Sequence, residues 1–229
     1  MNHWWTALLD LLFPPCCPVC KGPVLCHGEI CRRCLSEMVN SRELNVVLRR
    51  LTALDGCRVL LDYTGGSRKL LHDVKYRRKL KYITHLRKLL KEKAKSILLP
   101  PVQGVVPVPL CAERLKERGF NQTTLLFESW AKERNLPWEE VLIRIRTTVP
   151  QWRLEANERR KNVKDAFKVT RPEWVKDKSL LLVDDIVTTG ITLNECAKAL
   201  KASGASKVFG LGLAGGADGG PTRGILRKL

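Results

Sequence analysis

Leu180-Leu181-Leu182-Val183-Asp184-Asp185-Ile186-Val187-Thr188-Thr189-Gly190-Ile191-Thr192 is the stretch on which the reading of the fold turns. Four apolar residues make a run of strand length, two carboxylates follow, and a Thr/Gly loop leads into the helical pattern Leu193 to Ala202, which Gly204 closes as a C-cap. A strand that is apolar on both faces belongs inside a parallel sheet, which places Asp184 and Asp185 at its carboxyl edge. Open α/β folds bind their ligands at that edge.

The chemistry of the stretch follows from its order. Neighbouring strand residues point to opposite faces, so the two acids can grip two different hydroxyls, such as those of a vicinal diol. Thr188, Thr189, Gly190, Ile191 and Thr192 offer hydroxyls and backbone N–H groups at a helix start, with Gly190 permitting close approach. That arrangement suits a phosphate monoester. Diol and phosphate together describe a ribose 5-phosphate.

Other elements take their places around this one. Cys57 to Tyr63 reads as a strand that Gly65-Gly66 breaks, and Ser67 to Lys95 reads as helical, with Leu70, Leu71 and Val74 on one face and Leu80, Ile83, Leu86, Leu89 and Leu90 on the next. Gly104 to Val108 is a strand ended by Pro107 and Pro109. After it, Arg114, Lys116 and Arg118 lead through Gly119-Phe120-Asn121-Gln122 to a helix carrying Leu125, Leu126, Phe127 and Trp130. A strand that empties into an Arg-rich loop can set cations against a pyrophosphate; the same charges also read as a solvent-facing turn. Val141 to Ile145 and Ala166 to Val169 are strands, separated by a polar insertion with Gln151 and Arg159, where a lid is expected. Lys207 to Leu213 is the final strand.

Forty-one Lys and Arg against 23 Asp and Glu give a formal charge of +18, which points to anionic partners; 44% hydrophobic residues suffice for a core. The stretch Arg68 to Lys95 carries twelve bases and two acids, a charge of +10. Within it Tyr76 and Tyr82 interleave with Lys75, Arg77, Arg78, Lys79 and Lys81, a composition able to stack and neutralise single-stranded nucleic acid, and equally that of a solvated basic helix face.

Nine cysteines, several closely paired, suit a reducing compartment and a metal better than a disulfide framework. Cys17-x-x-Cys20 and Cys31-x-x-Cys34 supply four thiolates within reach of one tetrahedral zinc, with Cys16 able to replace Cys17. Redox-active pairs and buried thiols are the competing readings. A closed four-thiolate site leaves no position open for chemistry, so the Zn²⁺ would be structural. Trp4 to Phe13 is apolar but lacks a basic leader, contains Asp10 and meets Pro14 and Pro15, so it reads as a docking helix and not a signal peptide. No apolar run reaches the length of a bilayer.

The central stretch resembles the phosphoribosyl pyrophosphate (PRPP) signature of type I phosphoribosyltransferases. The wider chain resembles the ComF family of competence-associated proteins. The matching pieces are the four-cysteine ribbon; Tyr63-Thr64-Gly65 to Lys75-Tyr76; Pro107-Val108-Pro109 with Arg118 to Gln122; Gln151 to Leu154 with Arg159 to Asn162 and Ala166-Phe167; and Asp184-Asp185. The resemblance implies an α/β type I phosphoribosyltransferase fold, a mostly parallel sheet with flanking helices and a hood. The expected layout is a docking helix over 1–15, a ribbon over 16–40, a connector over 41–55 (with 36–54 readable as a helix or connector), the transferase domain over 56–215 and a glycine-rich basic tail over 216–229.

It further implies PRPP with Mg²⁺ at Asp184 and Asp185, a cytoplasmic location, and DNA-uptake proteins or incoming single-stranded DNA as partners; the alternative reading is a PRPP sensor or scaffold that binds these partners without transferring the sugar. Arg118, with the diacid, is expected to act in catalysis, and Lys75, Pro107, Arg114, Gln122, Gln151 and Arg159 to line the PRPP site beside Thr188 to Thr192. One departure matters. Transferases that act on 6-oxopurines carry an acid at the position of Thr188, so a hypoxanthine or guanine acceptor is not expected.

Overall fold

The computed structural model describes residues 12–146 and 163–216. Five strands form the main sheet in the order β1-β2-β7-β6-β3: β1 (Val39–Glu43), β2 (Gly56–Asp62), β3 (Gly104–Pro107), β6 (Ser179–Val187) and β7 (Lys207–Gly215). Only β1 runs antiparallel to its neighbour; β2, β7, β6 and β3 are mutually parallel. A separate antiparallel pair, β4 (Leu142–Arg144) and β5 (Phe167–Val169), stands apart as the hood.

The apolar strands alternate between two cores, as the two-residue repeat of a strand requires. Leu180 and Leu182 face one side together with Val59, with Leu193, Cys196 and Leu200 of α7 (Ile191–Ala202), which follows the short α6 (Pro172–Val175), and with the hood residues Leu142 and Phe167. Leu181 and Val183 face the other, against α2 (Gly65–Arg77), α3 (Lys81–Lys95) and α5 (Gln122–Glu133), whose Leu70, Leu86, Phe127 and Trp130 are buried. Extending the alternation aims Asp184 toward the first layer and Asp185 toward the second.

Two expectations are refined. The helical pattern over Ser67 to Lys95 is two helices, because Arg78 adopts a left-handed backbone (φ 50°) at the end of α2. Asp73 holds that corner: its carbonyl accepts from Arg78 and Lys79 N–H, and its carboxylate meets Lys79 Nζ at 3.0 Å and Arg77 Nη1 at 3.3 Å. The segment 36–54 is neither one helix nor a bare connector. After α1 (Arg32–Met38) it adds β1 to the main sheet, where Arg42 Nη1 pairs with Asp62. The sheet therefore takes in residues at the ribbon's end. Among the described residues no helix is long and apolar enough to cross a membrane.

The N-terminal segment packs directly on α2. A Cβ on Gly66 would lie 2.7 Å from Met38 Sδ and 2.8 Å from Val19 Cγ1, so only glycine admits the ribbon at this distance. Lys69 Nζ, one turn on, donates to the Val19 carbonyl at 2.6 Å.

The α2–α3 corner should carry a pH signature. Burial alone would raise the Asp73 carboxyl, but the hydrogen bond and charge of Lys79 and the charge of Arg77 outweigh it and hold it below its ordinary value. A depressed carboxylate contributes stability above the unfolded pKa of about 4 and loses it as pH falls through the folded one. Asp73→Asn should cost about 1 kcal/mol at pH 7, modest because both cations are partly solvated. Urea melts at pH 7 and pH 3 should show the difference between the two proteins shrinking at the lower pH.

Candidate functional site

Asp184 and Asp185 lie near the carboxyl end of β6, flanked by β3 through the pair Pro107–Val183 and by β7 through Asp184–Gly212. Asp185 is buried and meets Lys75 Nζ, from the last turn of α2, at 2.8 Å through one oxygen and 3.0 Å through the other. Asp184 is half-buried. Its Oδ1 accepts from the Asp185 N–H at 2.9 Å and from Thr123 Oγ1 at 3.3 Å.

Two adjacent carboxylates in a recess cannot both ionise freely. Burial, and then the charge of Asp185, push the Asp184 carboxyl up to about 8, against the pull of Lys75. Burial works against the Lys75 ammonium, yet the charges of Asp185 and Asp184 more than compensate and raise its pKa. The result is a fixed Lys75–Asp185 ion pair beside a carboxyl that holds its proton near neutrality. An arriving cation would displace that proton, and hydroxyl groups can hydrogen-bond to the carboxyl in either state.

The turn after β3 delivers the second group. Asn121 caps α5 by accepting from Thr123 N–H at 3.0 Å, and its Nδ2 donates to the Val108 carbonyl at 3.1 Å. This ties the start of α5 to the sheet edge and sets Thr123 against Asp184. Arg118 is buried at the end of α4 (Ala112–Arg118), donates to Gln122 Oε1 at 3.0 Å, and lies 5.2 Å from the centre of the Tyr76 ring. Arg114 is half-buried on the same short helix.

The loop supplies the third group. Thr188 and Thr189 are half-buried, Gly190 turns the chain with φ 79°, and α7 starts at Ile191. Asn194 N–H donates back to the Gly190 carbonyl at 2.9 Å, so the first turn of the helix is closed directly behind the loop. The first-turn N–H groups and threonine hydroxyls are the donor set a phosphate monoester needs.

Lys75, Pro107, Arg118, Gln122, Asp184, Asp185 and Thr188 to Thr192 therefore share one edge of the sheet. Gln151 and Arg159, with the expected lid, lie outside the described residues, as does most of the docking segment Trp4 to Phe13. Two residues of the basic run need correction as nucleic-acid contacts. Lys75 is turned inward onto Asp185, and Tyr82 is 5% exposed in the core, ringed by the ammoniums of Lys21, Lys79 and Lys81 at about 6 Å. Tyr76, Arg77, Arg78 and Lys81 remain at the surface; Lys79 is half-buried on Asp73.

Three residues at the site were not singled out in the sequence for it. Thr123 reaches Asp184; Arg49 reaches the loop, donating to the Thr188 carbonyl at 2.7 Å; and Arg144 of β4 sits over the Phe167 ring at 5.5 Å, within electrostatic range of Asp184 and Arg114. A reading of Asn121 as the N-cap of the following helix is the one local signal that could have found Thr123. Nothing local marks Arg49 or Arg144.

The cysteines form a second cluster. The sulfurs of Cys17, Cys20, Cys31 and Cys34 all lie within 4.8 Å of one another, so Cys17 and not Cys16 completes the group. The chain reverses between the knuckle cysteines through Cys17 N–H to Gly22 carbonyl (2.8 Å) and Lys21 N–H to Cys17 carbonyl (2.9 Å). Burial pushes the Cys17 thiol up, but backbone N–H groups of Cys20, Cys31 and Val19 prevail and bring it down to about 6. Cys34, buried against the other three thiols, is pushed up. All four can be thiolates together only with a cation among them, so the donor set fits a metal ion such as zinc.

Known proteins resemble this chain in sequence. A family model described as "Phosphoribosyl transferase domain" matches residues 83–212. The chain is 32% identical over 197 residues to a "DNA utilization protein YhgH" of Salmonella typhi, covering 84% of this chain and 80% of that protein. It is 36% identical over 115 residues to "Competence protein F" of Haemophilus influenzae, covering 49% and 50% of the two chains. To "Competence protein ComFC" of Bacillus subtilis it is 28% identical over 188 residues, covering 82% and 72%.

Proposed function

This chain belongs to the ComF family of phosphoribosyltransferase-domain proteins, and on that footing we propose that it binds PRPP and transfers its phosphoribosyl group. The observation that carries the reading is the diacid at the carboxyl edge of β6, followed within three residues by a threonine loop at a helix start. Asp184 and Asp185 take the ribose hydroxyls, and Thr188 to Thr192 take the 5-phosphate. Arg118, half of a buried pair with Gln122, and Arg114 face the pyrophosphate.

Transfer breaks the bond from the anomeric carbon to pyrophosphate and forms one from that carbon to the acceptor, which gives up a proton. Positive charge grows on the sugar and negative charge on the leaving group. Preorganised cations and fixed donors stabilise the charge on the leaving group, so the chemistry needs no nucleophile from the chain. Lys75 holds Asp185 in place, and Thr123 orients Asp184. Asp184 and Asp185, an oxygen-rich pair, would hold Mg²⁺, which would supply charge neutralisation for the leaving pyrophosphate.

A basic surface supports a second contact, with single-stranded DNA. Tyr76 is 54% exposed beside Arg77, Arg78 and Lys81, so its outer edge can meet a base while the guanidinium and ammonium groups meet phosphates. The relatives' names, which speak of DNA utilization and competence, support a role for this chain in handling incoming DNA, for which the cytoplasm is the proposed location. The four-cysteine knuckle holds a structural zinc, folding a segment too small for its own core.

Three measurements test these statements. Calorimetric titration with PRPP and Mg²⁺ should give a saturable heat in the wild type that the Asp184→Asn, Asp185→Asn double variant loses; equal heats would remove the central assignment. Metal analysis of purified protein should return about one zinc per chain, and a metal-free, fully folded preparation would refute the knuckle as a zinc site. Single-stranded DNA affinity should fall steeply with salt and drop at least tenfold when Arg77, Arg78 and Lys81 are changed to Glu. The Lys79–Asp73 and Lys75–Asp185 pairs stay intact and of the Asp73 contacts only that of Arg77 is lost, so retained affinity would tell against this face directly.

A further inference from the structure

We infer that the connector between the cysteine knuckle and the transferase sheet is a positioning device for the phosphate loop, with Arg49 as its working residue. The inference rests on reading Thr188 to Thr192 as the 5-phosphate loop. Three contacts converge on that loop from behind. Arg49 Nη1 donates to the Thr188 carbonyl at 2.7 Å. Leu51 is buried and fills the space behind Gly190 so closely that a Cβ there would stand 2.5 Å from its Cδ1. Ala53 N–H donates to Asn194 Oδ1 at 3.0 Å, fastening the connector to the first turn of α7.

The connector is stiff enough to act this way. Its own turn is closed by Arg49 N–H to the Asn45 carbonyl (3.1 Å), Leu51 N–H to the Val46 carbonyl (2.8 Å) and Leu48 N–H to Asn45 Oδ1 (2.8 Å). Both ends are anchored in the main sheet: Leu44 N–H donates to the Cys57 carbonyl at 2.7 Å, and Asp55 exchanges hydrogen bonds with Val208 at 2.9 and 2.7 Å. Arg49 is held within a closed arch and does not swing on a free loop.

The consequence for binding comes from peptide geometry. In a planar trans peptide the carbonyl and the next N–H point in opposite directions. A guanidinium that holds the Thr188 carbonyl against the connector therefore turns the Thr189 N–H to the opposite side, into the cradle where the phosphate sits. Without that hold the peptide is free to rotate and present its carbonyl oxygen to the anion. Gly190, in its left-handed conformation directly after, is where such a rotation would be absorbed, and Leu51 blocks it.

Isothermal titration of the full chain with PRPP, ribose 5-phosphate and Mg²⁺-pyrophosphate separates this role from a merely structural one. Arg49→Ala should bind PRPP and ribose 5-phosphate about tenfold more weakly, the loss of one charge-assisted hydrogen bond, and bind Mg²⁺-pyrophosphate as the wild type does. Arg49→Lys, which keeps a charged donor, should recover most of the difference. Arg49→Met retains the apolar stem and serves if the alanine variant does not fold, with the same pattern expected. Undiminished ribose 5-phosphate affinity in the folded Ala or Met variant would overturn the inference, and so would an equal loss for pyrophosphate. A wild type that binds none of the three ligands would remove the phosphate-loop reading itself, a result distinguishable from failure of the brace alone.

Discussion

Two carboxylates side by side near the end of a buried parallel strand are the constraint that the rest of this molecule accommodates. Unpaired, they would repel and lose solvation together, at a cost of several kcal/mol. The fold answers with Lys75 on Asp185 from one side of the sheet and Thr123 on Asp184 from the start of α5. That answer dictates local structure well away from the strand. Helix α2 must end near the sheet's carboxyl edge for its last turn to carry Lys75, and it is turned aside immediately afterwards at Arg78, with Asp73 holding the corner. Helix α5 must begin there too, which Asn121 arranges by capping it and gripping the end of β3.

The same constraint divides the basic run along α2. Spacing alone offers Lys75, Tyr76, Arg77, Arg78 and Lys79 as one continuous charged face. A helix advances about 100° per residue and α2 ends at Arg77, so Lys75, Tyr76 and Arg77 point in different directions before the chain turns at Arg78. Lys75 falls on the inner side against the diacid and Tyr76 lies against the guanidinium of Arg118. Arg77, Arg78 and Lys81 face outward. One short sequence thus serves both the edge of a small-molecule site and a surface for a polyanion, with Tyr76 at the border between them.

What was legible in the sequence is what is local in the chain. Leu180 to Thr192 carries its strand, acids, loop and helix start in consecutive residues, and the four cysteines carry theirs in two short knuckles. Both came together as their spacing required. The strand β1 was not legible, because Val39-Asn40-Ser41-Arg42-Glu43 has one apolar residue and no alternation; it is a strand through its pairing with β2 and the Arg42–Asp62 contact. The split between α2 and α3 was hidden for a similar reason. A left-handed residue that is not glycine leaves no composition signal, and only the partners of Asp73 explain it. Thr123, Arg49 and Arg144 reach the site from three separate elements, so no window of sequence holds two of them beside the diacid.

The N-terminal knuckle then reads as part of the transferase core and not as an appendage to it. Val19 and Met38 sit over Gly66 at the start of α2, and Val19, Ile30, Leu35 and Val39 pack against the same buried cluster as Leu70 and Leu86. From Met38 the chain runs directly into β1 and from β1 into the arch that carries Arg49 and Leu51 beneath the phosphate loop. Helix α2 has the knuckle packed at its first turn and Lys75 at its last, and the connector has the sheet at both ends and the loop against its middle. Two rigid routes therefore join the cysteine cluster to the two halves of the candidate site, the diacid by way of α2 and the threonine loop by way of the connector. A segment whose only task was to tether the domain elsewhere would have no physical reason to fill the space behind Gly190.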